Sequence, residues 1–133
     1  MTQLPFDPKA PLLVFPCTIA YQDIGEVWLA LDTGASTTTI RESDLRNIGY
    51  PPESLTDLVS FSDASQSHLV PKVTLESFSL GDAKVAKLEV LAYTIPEEYG
   101  IHGVVGLNFL RHFNLNLNFK QGILTMERIS GSQ

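Results

Sequence analysis

Residues 29–36, Leu-Ala-Leu-Asp-Thr-Gly-Ala-Ser, decide the fold of this chain. An apolar stretch ends at Asp32, which predicts an acidic side chain at the end of a buried strand. Gly34 follows and lets the backbone turn sharply, because glycine tolerates positive φ angles. Two carboxylates that face each other can share one proton and activate a water molecule, whereas one carboxylate alone cannot. Since the chain holds one Asp-Thr-Gly motif, the sequence suggests a catalytic Asp32 that needs a second copy of the chain.

A second motif occupies residues 103–110, Gly-Val-Val-Gly-Leu-Asn-Phe-Leu, ahead of a segment in which asparagines alternate with apolar residues. Together with Asp-Thr-Gly-Ala at the end of an apolar strand, it resembles the retropepsin-like aspartic protease family. Asp-Thr-Gly alone is a weak signal, so the resemblance depends on the order and separation of the two motifs in a chain of 133 residues. The similarity extends over about residues 12–127.

The resemblance implies an all-β fold, namely a single-lobe retropepsin-like acid-protease barrel with one short helix near residues 107–113. It also implies a homodimer that hydrolyses peptide bonds with a water molecule held between two Asp32 carboxylates. Its substrate would be a peptide or protein, and no cofactor or metal ion is expected. The expected boundaries are an extended N-terminal arm over residues 1–11, the protease domain over residues 12–128 and a C-terminal tail over residues 129–133.

Two alternatives use the same fold. One is a non-catalytic peptide-binding or dimerisation module whose acids never pair. The other is a processing enzyme that cleaves itself or a single partner. The oligomeric state separates the first from a protease, because a strict monomer has a single Asp32.

The candidate catalytic residues are Asp32, Thr33 and Gly34. An aspartate that caps its own turn is the alternative for Asp32. In the family, the threonine hydroxyl links the two subunits beneath the paired acids, and the alternative for Thr33 is an ordinary β-branched strand residue. Substrate-binding residues are expected after the first motif, at the tip of a flap-like hairpin and around the second motif: Ala35, Ser36, Ser62, Asp63, Ala64, His102, Val104 and Val105. For His102, a solvated loop position is an equal alternative.

The chain also departs from the retroviral pattern around the second motif. Retroviral relatives often carry an arginine there, paired with an acidic residue just after Asp-Thr-Gly, whereas this chain has Leu107 followed by Asn108, and Ser36 at the acidic place. The dimer or the groove must therefore be held differently. By family position, the dimer interface is expected at the terminal strand around residues 123–126, with a contribution from the arm.

Short apolar runs separated by turn residues predict a barrel-like all-β domain. Strands are predicted over residues 12–21, 26–31, 37–40, 58–61, 68–75, 85–95, 114–119 and 123–128. Residues 43–49 predict a packed helical turn or two, since the segment is too short for an independent helix. Residues 78–82 predict a turn.

Composition narrows the class of protein. A hydrophobic fraction of 44% and a charged fraction of 18% are typical of a globular domain. A net charge of −6 without a basic run argues against nucleic acid as a partner. Cys17 is the sole cysteine, so no disulfide can form within one chain, which fits a reducing compartment. Its apolar neighbours favour a buried thiol. We see no signal peptide and no apolar run near the ~18 residues that span a bilayer, so we expect no membrane partner and a cytoplasmic location.

Overall fold

Ten strands and two short α-helices form in the part of the chain that the structure describes. The computed structural model describes residues 1–51, 55, 57–62 and 66–131. The strands are β1 (Thr2–Pro5), β2 (Val14–Ala20), β3 (Ile24–Leu31), β4 (Thr39–Ile40), β5 (Leu58–Ser62), β6 (Ser67–Leu80), β7 (Ala83–Ala92), β8 (Gly103–Val105), β9 (Phe113–Asn118) and β10 (Ile123–Arg128). The α-helices are α1 (Glu42–Asn47) and α2 (Leu107–Leu110), and a single 3-10 turn covers Glu97–Tyr99.

Six strands close a barrel in the order β2-β3-β8-β4-β7-β6, because β6 also pairs with β2. The predicted all-β barrel is thereby confirmed. Strand β5 pairs with β6 outside the closed part and forms the outer arm of a hairpin. This arrangement leaves the hairpin projecting from the barrel beside the residues that follow β3.

Strand β6 is the longest element, with 14 residues, and it belongs to both the hairpin and the barrel. Its first part pairs with β5, and its last part pairs with β2 and closes the barrel. The turn predicted over residues 78–82 is wrong in its first half, because Phe78 is fully buried and continues the strand to Leu80. The chain turns at Gly81, where φ is +60° and an L side chain would be strained.

The two helices pack apolar residues onto the barrel. The predicted turn near residues 43–49 is α1, which buries Leu45. The predicted short helix near residues 107–113 is α2, but it ends at Leu110 because Phe113 already begins β9. From α2, Phe109 is fully buried and its ring lies 4.8 Å from the ring of Phe78. This aromatic contact anchors the helix in the barrel core.

The terminal strands form a separate three-stranded sheet in the order β1-β10-β9. Strand β10 lies in the middle, paired antiparallel with β1 on one side and with β9 on the other. Both of its edges are thus occupied within the chain. The expected interface strand around residues 123–126 therefore has no open edge for a partner, and the open edges belong to β1 and β9.

Candidate active site

The backbone around Asp32 forms a tight turn at the end of β3. The Asp32 N–H donates to the carbonyl oxygen of Val105 at 3.0 Å, which holds the turn against β8. Its carboxylate Oδ1 accepts the N–H of Gly34 at 2.9 Å, and the Asp32 carbonyl accepts the N–H of Ala35 at 3.2 Å. The side chain of Asp32 therefore has a defined orientation while remaining partly exposed.

Gly34 lies close to the Asp32 carboxylate and does not adopt a positive φ angle. Its φ lies outside the left-handed region, unlike the six glycines that adopt positive values. A Cβ atom at this position would lie 3.2 Å from Oδ1 of Asp32, tighter than most such contacts. The absence of a side chain thus leaves room for the Asp32 carboxylate beside the Gly34 N–H.

Strand β8 packs against the segments on both sides of the turn, and Gly103 and Gly106 allow this close packing. It lies between β3 and β4, parallel to the first and antiparallel to the second. A Cβ on Gly103 would lie 2.0 Å from the carbonyl oxygen of Thr39, and a Cβ on Gly106 would lie 2.6 Å from the carbonyl carbon of Thr37. Such distances are far inside van der Waals contact, so both positions need glycine.

Thr38 and Asn108 lock the segment after the turn to the start of α2. The Thr38 hydroxyl accepts the Gly106 N–H at 3.0 Å and lies 2.9 Å from Asn108 Oδ1, to which it donates. Asn108 Oδ1 also accepts the Thr38 N–H at 2.9 Å, and its Nδ2 donates to the carbonyl oxygen of Glu89 at 2.6 Å. Thr38 is fully buried, and its bond to the Gly106 N–H is buried with it, whereas the bond from Asn108 to Glu89 is exposed. Asn108 therefore links β7, α2 and the active-site loop in a chain that lacks the retroviral arginine.

An open cavity of about 1100 Å³ lies between the Asp32 loop and the β5–β6 hairpin. Its wall on the loop side consists of residues 30–32, 34–37, Thr39 and Val104. The opposite wall carries residues 59–62 of β5, and one end is formed by apolar side chains of the 95–101 segment. We call the loop side the floor and the β5–β6 hairpin the roof.

The cavity contains most, but not all, of the sequence-predicted residues. Asp32, Gly34, Ala35, Ser36, Ser62 and Val104 line it. Thr33 is exposed and lies outside the lining. Val105 is fully buried and contributes through its carbonyl group. Asp63 and Ala64 lie outside the described residues.

His102 forms hydrogen bonds with β3, the strand that ends at the cavity. Its ring Nδ1 accepts the N–H of Trp28 at 3.1 Å, and its own N–H donates to the Trp28 carbonyl at 2.8 Å. Its carbonyl accepts the Arg41 N–H at 3.0 Å. It lies outside the cavity lining, so any influence of His102 on a substrate would be indirect, through β3.

Two charged side chains on the cavity wall were missed by the sequence analysis. Lys72 on β6 and Glu89 on β7 approach to 3.6 Å, with side-chain exposures of 33% and 57%. Exposed pairs of this kind contribute little to stability. Lys72 and Glu89 place a positive and a negative charge beside a cavity wall that is otherwise largely apolar. Only the pairing of β6 with β7 brings these two positions together, so no local pattern in the sequence indicates them.

Among the described residues, Cys17 and possible metal ligands are further candidates for a reactive group. Cys17 is 1% exposed, as expected, and burial raises the pKa of its thiol to about 12, with a smaller contribution from the charge of Glu26. Among residues 1–51, 55, 57–62 and 66–131, no three His, Cys, Asp or Glu side chains cluster as metal ligands. Within the same residues, no helix has the length and apolar character needed to cross a membrane.

The two motifs and the geometry that they create place the chain in a known class. The model of the aspartyl protease family matches residues 15–109, so the chain belongs to that family. No curated protein matches the sequence.

Solved structures define the fold more closely. A retropepsin-like aspartic protease from Rickettsia conorii superposes with a TM-score of 0.72 at 13% identity, covering 94% of this chain and 89% of that one. The retroviral protease-like domain of Ddi1 from Leishmania major gives 0.60 at 16% identity, covering 91% and 92%. The fold is therefore retropepsin-like, as the sequence predicts.

Proposed function

We propose that this protein is an aspartic endopeptidase that works as a homodimer, with one Asp32 from each chain in a shared site. A single observation carries the proposal: the carboxylate of the one Asp-Thr-Gly motif borders a cavity large enough for several residues of an extended peptide. One carboxylate can act as an acid or as a base, but peptide hydrolysis by this chemistry needs both at once.

The proposed reaction uses the two Asp32 carboxyl groups in different protonation states. Two negative charges a few ångström apart repel, so the pair retains one proton. The ionised carboxylate removes a proton from a water molecule, whose oxygen attacks the peptide carbonyl carbon. The protonated partner donates a hydrogen bond to the developing oxyanion. When the tetrahedral intermediate collapses, the carbon–nitrogen bond breaks and a proton passes to the leaving nitrogen.

The residues next to Asp32 support this role. The Gly34 N–H, 2.9 Å from Oδ1, limits rotation of the carboxylate and satisfies one of its oxygens. In the proposed dimer, the exposed Thr33 hydroxyl would bond across the two-fold axis beneath the acids. Thr33 and Gly34 would thus position the pair, and Asp32 would carry the chemistry.

We further propose that the substrate lies extended between the floor and the roof. The outer edge of β5 has no strand neighbour among the described residues, so a peptide can add to it as a further strand. Ala35, Ser36, Ser62 and Val104 would contact the substrate, as would Asp63 and Ala64, whereas His102 and Val105 would act through the backbone. Apolar wall residues favour hydrophobic or aromatic substrate side chains, and they include Leu31, Val59, Phe61, Leu91, Tyr93, Ile101 and Val104.

Cleavage of a diverse peptide library at acidic to neutral pH tests the proposal. The wild type and the nearly isosteric Asp32→Asn variant are incubated in parallel, and cut sites are read by mass spectrometry. We expect cuts by the wild type that the variant loses by at least about 1000-fold. Circular dichroism and sedimentation must show the same fold and size for both proteins. Equal cutting by both proteins would overturn the proposal, and a folded dimer that cuts nothing would favour the non-catalytic peptide-binding module.

A further inference from the structure

We propose that Lys72, Glu89 and Asp57 form a charged subsite on the cavity wall, and that this subsite selects the substrate by charge. It favours a basic side chain about four residues from the scissile bond and disfavours an acidic one at the same place. The inference rests on the proposed function and deepens it, because it names a feature of the peptide that the protease would choose.

The pairing of the strands sets the distance between this subsite and Asp32. One row of paired residues crosses five neighbouring strands, and each member lines the cavity: Ala30, Val104, Thr39, Leu91 and Lys72. Asp32 and Glu89 each lie two residues from this row, and the strand directions put both on the same side of it. Glu89 is therefore three strand spacings from Asp32, or ~14 Å along the sheet, which about four residues of an extended peptide cover.

Charge is confined to one end of the wall that β7 and the segment after it form. Alternate residues line the cavity there, and the first of them is charged while the next three are uncharged: Glu89, Leu91, Tyr93 and Ile95. Lys72 pairs with Leu91 in register and adds its charge at the same end. A charged substrate side chain can therefore be matched at this end of the wall, whereas the remainder suits apolar side chains.

The subsite combines one positive charge with two negative charges. Lys72 Nζ lies 3.6 Å from Glu89 Oε2 and 4.0 Å from Asp57 Oδ2. The side chains of Glu89 and Asp57 are 57% and 69% exposed, against 33% for Lys72, so an incoming side chain meets the carboxylates more readily than the amine. A substrate arginine would pair with these carboxylates, whereas a glutamate would be repelled by two charges and attracted by one.

Backbone hydrogen bonds hold the members of the subsite in place. The Glu89 carbonyl accepts Nδ2 of Asn108 at 2.6 Å, and the Leu91 N–H donates to the Thr38 carbonyl at 2.9 Å, so β7 is tied to the segments that surround Asp32. On the other side, the Lys72 N–H donates to the Asp57 carbonyl at 2.7 Å, which keeps Asp57 beside β6. The charges therefore have fixed places relative to the proposed catalytic group.

Peptides that differ in one charge test the subsite with and without cleavage. The probes are fluorescein-labelled decapeptides with a central leucine–phenylalanine pair and with arginine, glutamine or glutamate three, four or five residues from the central bond. Fluorescence anisotropy gives their dissociation constants for the Asp32→Asn protein, and cleavage by the wild type gives kcat/KM. At one of these positions, we expect arginine to bind about 3-fold more tightly than glutamine and about 10-fold more tightly than glutamate. The preference should vanish in ~1 M salt, which screens exposed charges.

Substitutions within the subsite should move this preference in opposite directions. Glu89→Gln removes the excess negative charge, so the arginine-over-glutamate ratio should fall to about 2-fold or less, whereas Lys72→Gln should raise it to about 30-fold. A role in folding alone would not give opposite shifts. Glu76→Gln and Lys87→Gln are matched controls, because Glu76 and Lys87 form an ion pair between the same two strands but outside the cavity lining. Both controls should keep the wild-type ratio.

The outcomes separate this inference from the proposed function. A ratio near 1 at every tested position, or a ratio that Glu89→Gln and Lys72→Gln leave unchanged, would overturn the subsite even if Asp32-dependent cleavage is found. The expected preferences in the binding measurement would support the subsite even if the wild type cleaves no peptide, in which case the protease proposal alone would fail. A folded protein that neither binds nor cleaves any of the peptides would overturn both.

Discussion

The floor and the roof of the cavity are built in opposite ways. The floor is fixed from beneath by hydrogen bonds of Thr38 and Asn108 and by two glycines whose Cβ atoms would overlap neighbouring carbonyl groups. The roof is a two-stranded hairpin with Leu58 and Leu69 exposed at 51% and 70%. Its strand β6 continues into the barrel, and its outer strand β5 touches the rest of the protein through contacts such as Phe61 with Tyr93, whose ring centroids lie 4.8 Å apart. A rigid floor suits chemistry, whereas a lightly held roof suits admission of a peptide.

Thiol labelling tests the contrast between the barrel that carries the floor and the roof, and it has the largest expected effect. Cys17 on β2 pairs with both β3 and β6 and is buried. We expect it to react with an aromatic disulfide reagent only on global unfolding. A cysteine introduced on the roof by Ser62→Cys in a Cys17→Ala background should react at least about 1000-fold faster at pH 8. Comparable rates would show that the barrel opens as readily as the hairpin.

The same thiol predicts a loss of stability at high pH. Burial, and to a smaller extent Glu26, raises the pKa of Cys17 from 9.0 to about 12 in the folded protein. The unfolded thiol ionises first as the pH rises, so Cys17 lowers stability progressively from about pH 9 to about 12. Urea unfolding should show a shallower decline over this range for Cys17→Ala. If the stability of the wild type and of Cys17→Ala declined in parallel, Cys17 would not be the group responsible.

Gly103→Ala should cause the largest loss of stability from a single change in the floor. The added methyl group would meet the Thr39 carbonyl oxygen, and φ at this position is +157°. We expect a loss of at least about 3 kcal/mol in the free energy of unfolding. Gly100→Ala is the control, because its Cβ would meet nothing within 4 Å and only its φ of +66° opposes the change. Gly100→Ala should lower the free energy of unfolding by about 1 kcal/mol. Equal losses for Gly100→Ala and Gly103→Ala would contradict the close packing of β8.

Thr38→Val tests the hydrogen bonds of the floor with a change of nearly equal volume. It leaves the buried Gly106 N–H without its partner and removes one of the two Thr38 donors to Asn108. We expect a loss of about 2 kcal/mol in urea unfolding. Thr18→Val on the exposed side of β2 should change the value by less than about 0.5 kcal/mol. A Thr38 variant as stable as its control would show that this network is dispensable.

The floor could be predicted from sequence because its key residues form two local motifs. Asp-Thr-Gly after an apolar run and Gly-Val-Val-Gly before a short helix each define a backbone path, and the structure brings the two together. The alternation of Asn with apolar residues likewise predicted β9.

Features that depend on contacts distant in sequence could not be predicted. The bond from Thr38 to Asn108 spans 70 residues, and Lys72 meets Glu89 only because β6 pairs with β7. Residues 78–80 resemble a turn, but the barrel core buries Phe78 and extends the strand. The sheet order that leaves β9 rather than β10 at an edge depends on how β1 pairs, which no local pattern encodes.

Mixing wild type with Asp32→Asn at fixed total concentration tests most directly the central claim that two Asp32 residues share one site. After subunit exchange, an equal mixture holds about a quarter of its dimers as wild-type homodimers. If both carboxylates are required, peptide cleavage should fall to about a quarter of the undiluted wild-type rate and follow the square of the wild-type fraction. A rate of about half, linear in that fraction, would mean that each chain acts alone and would contradict the shared site.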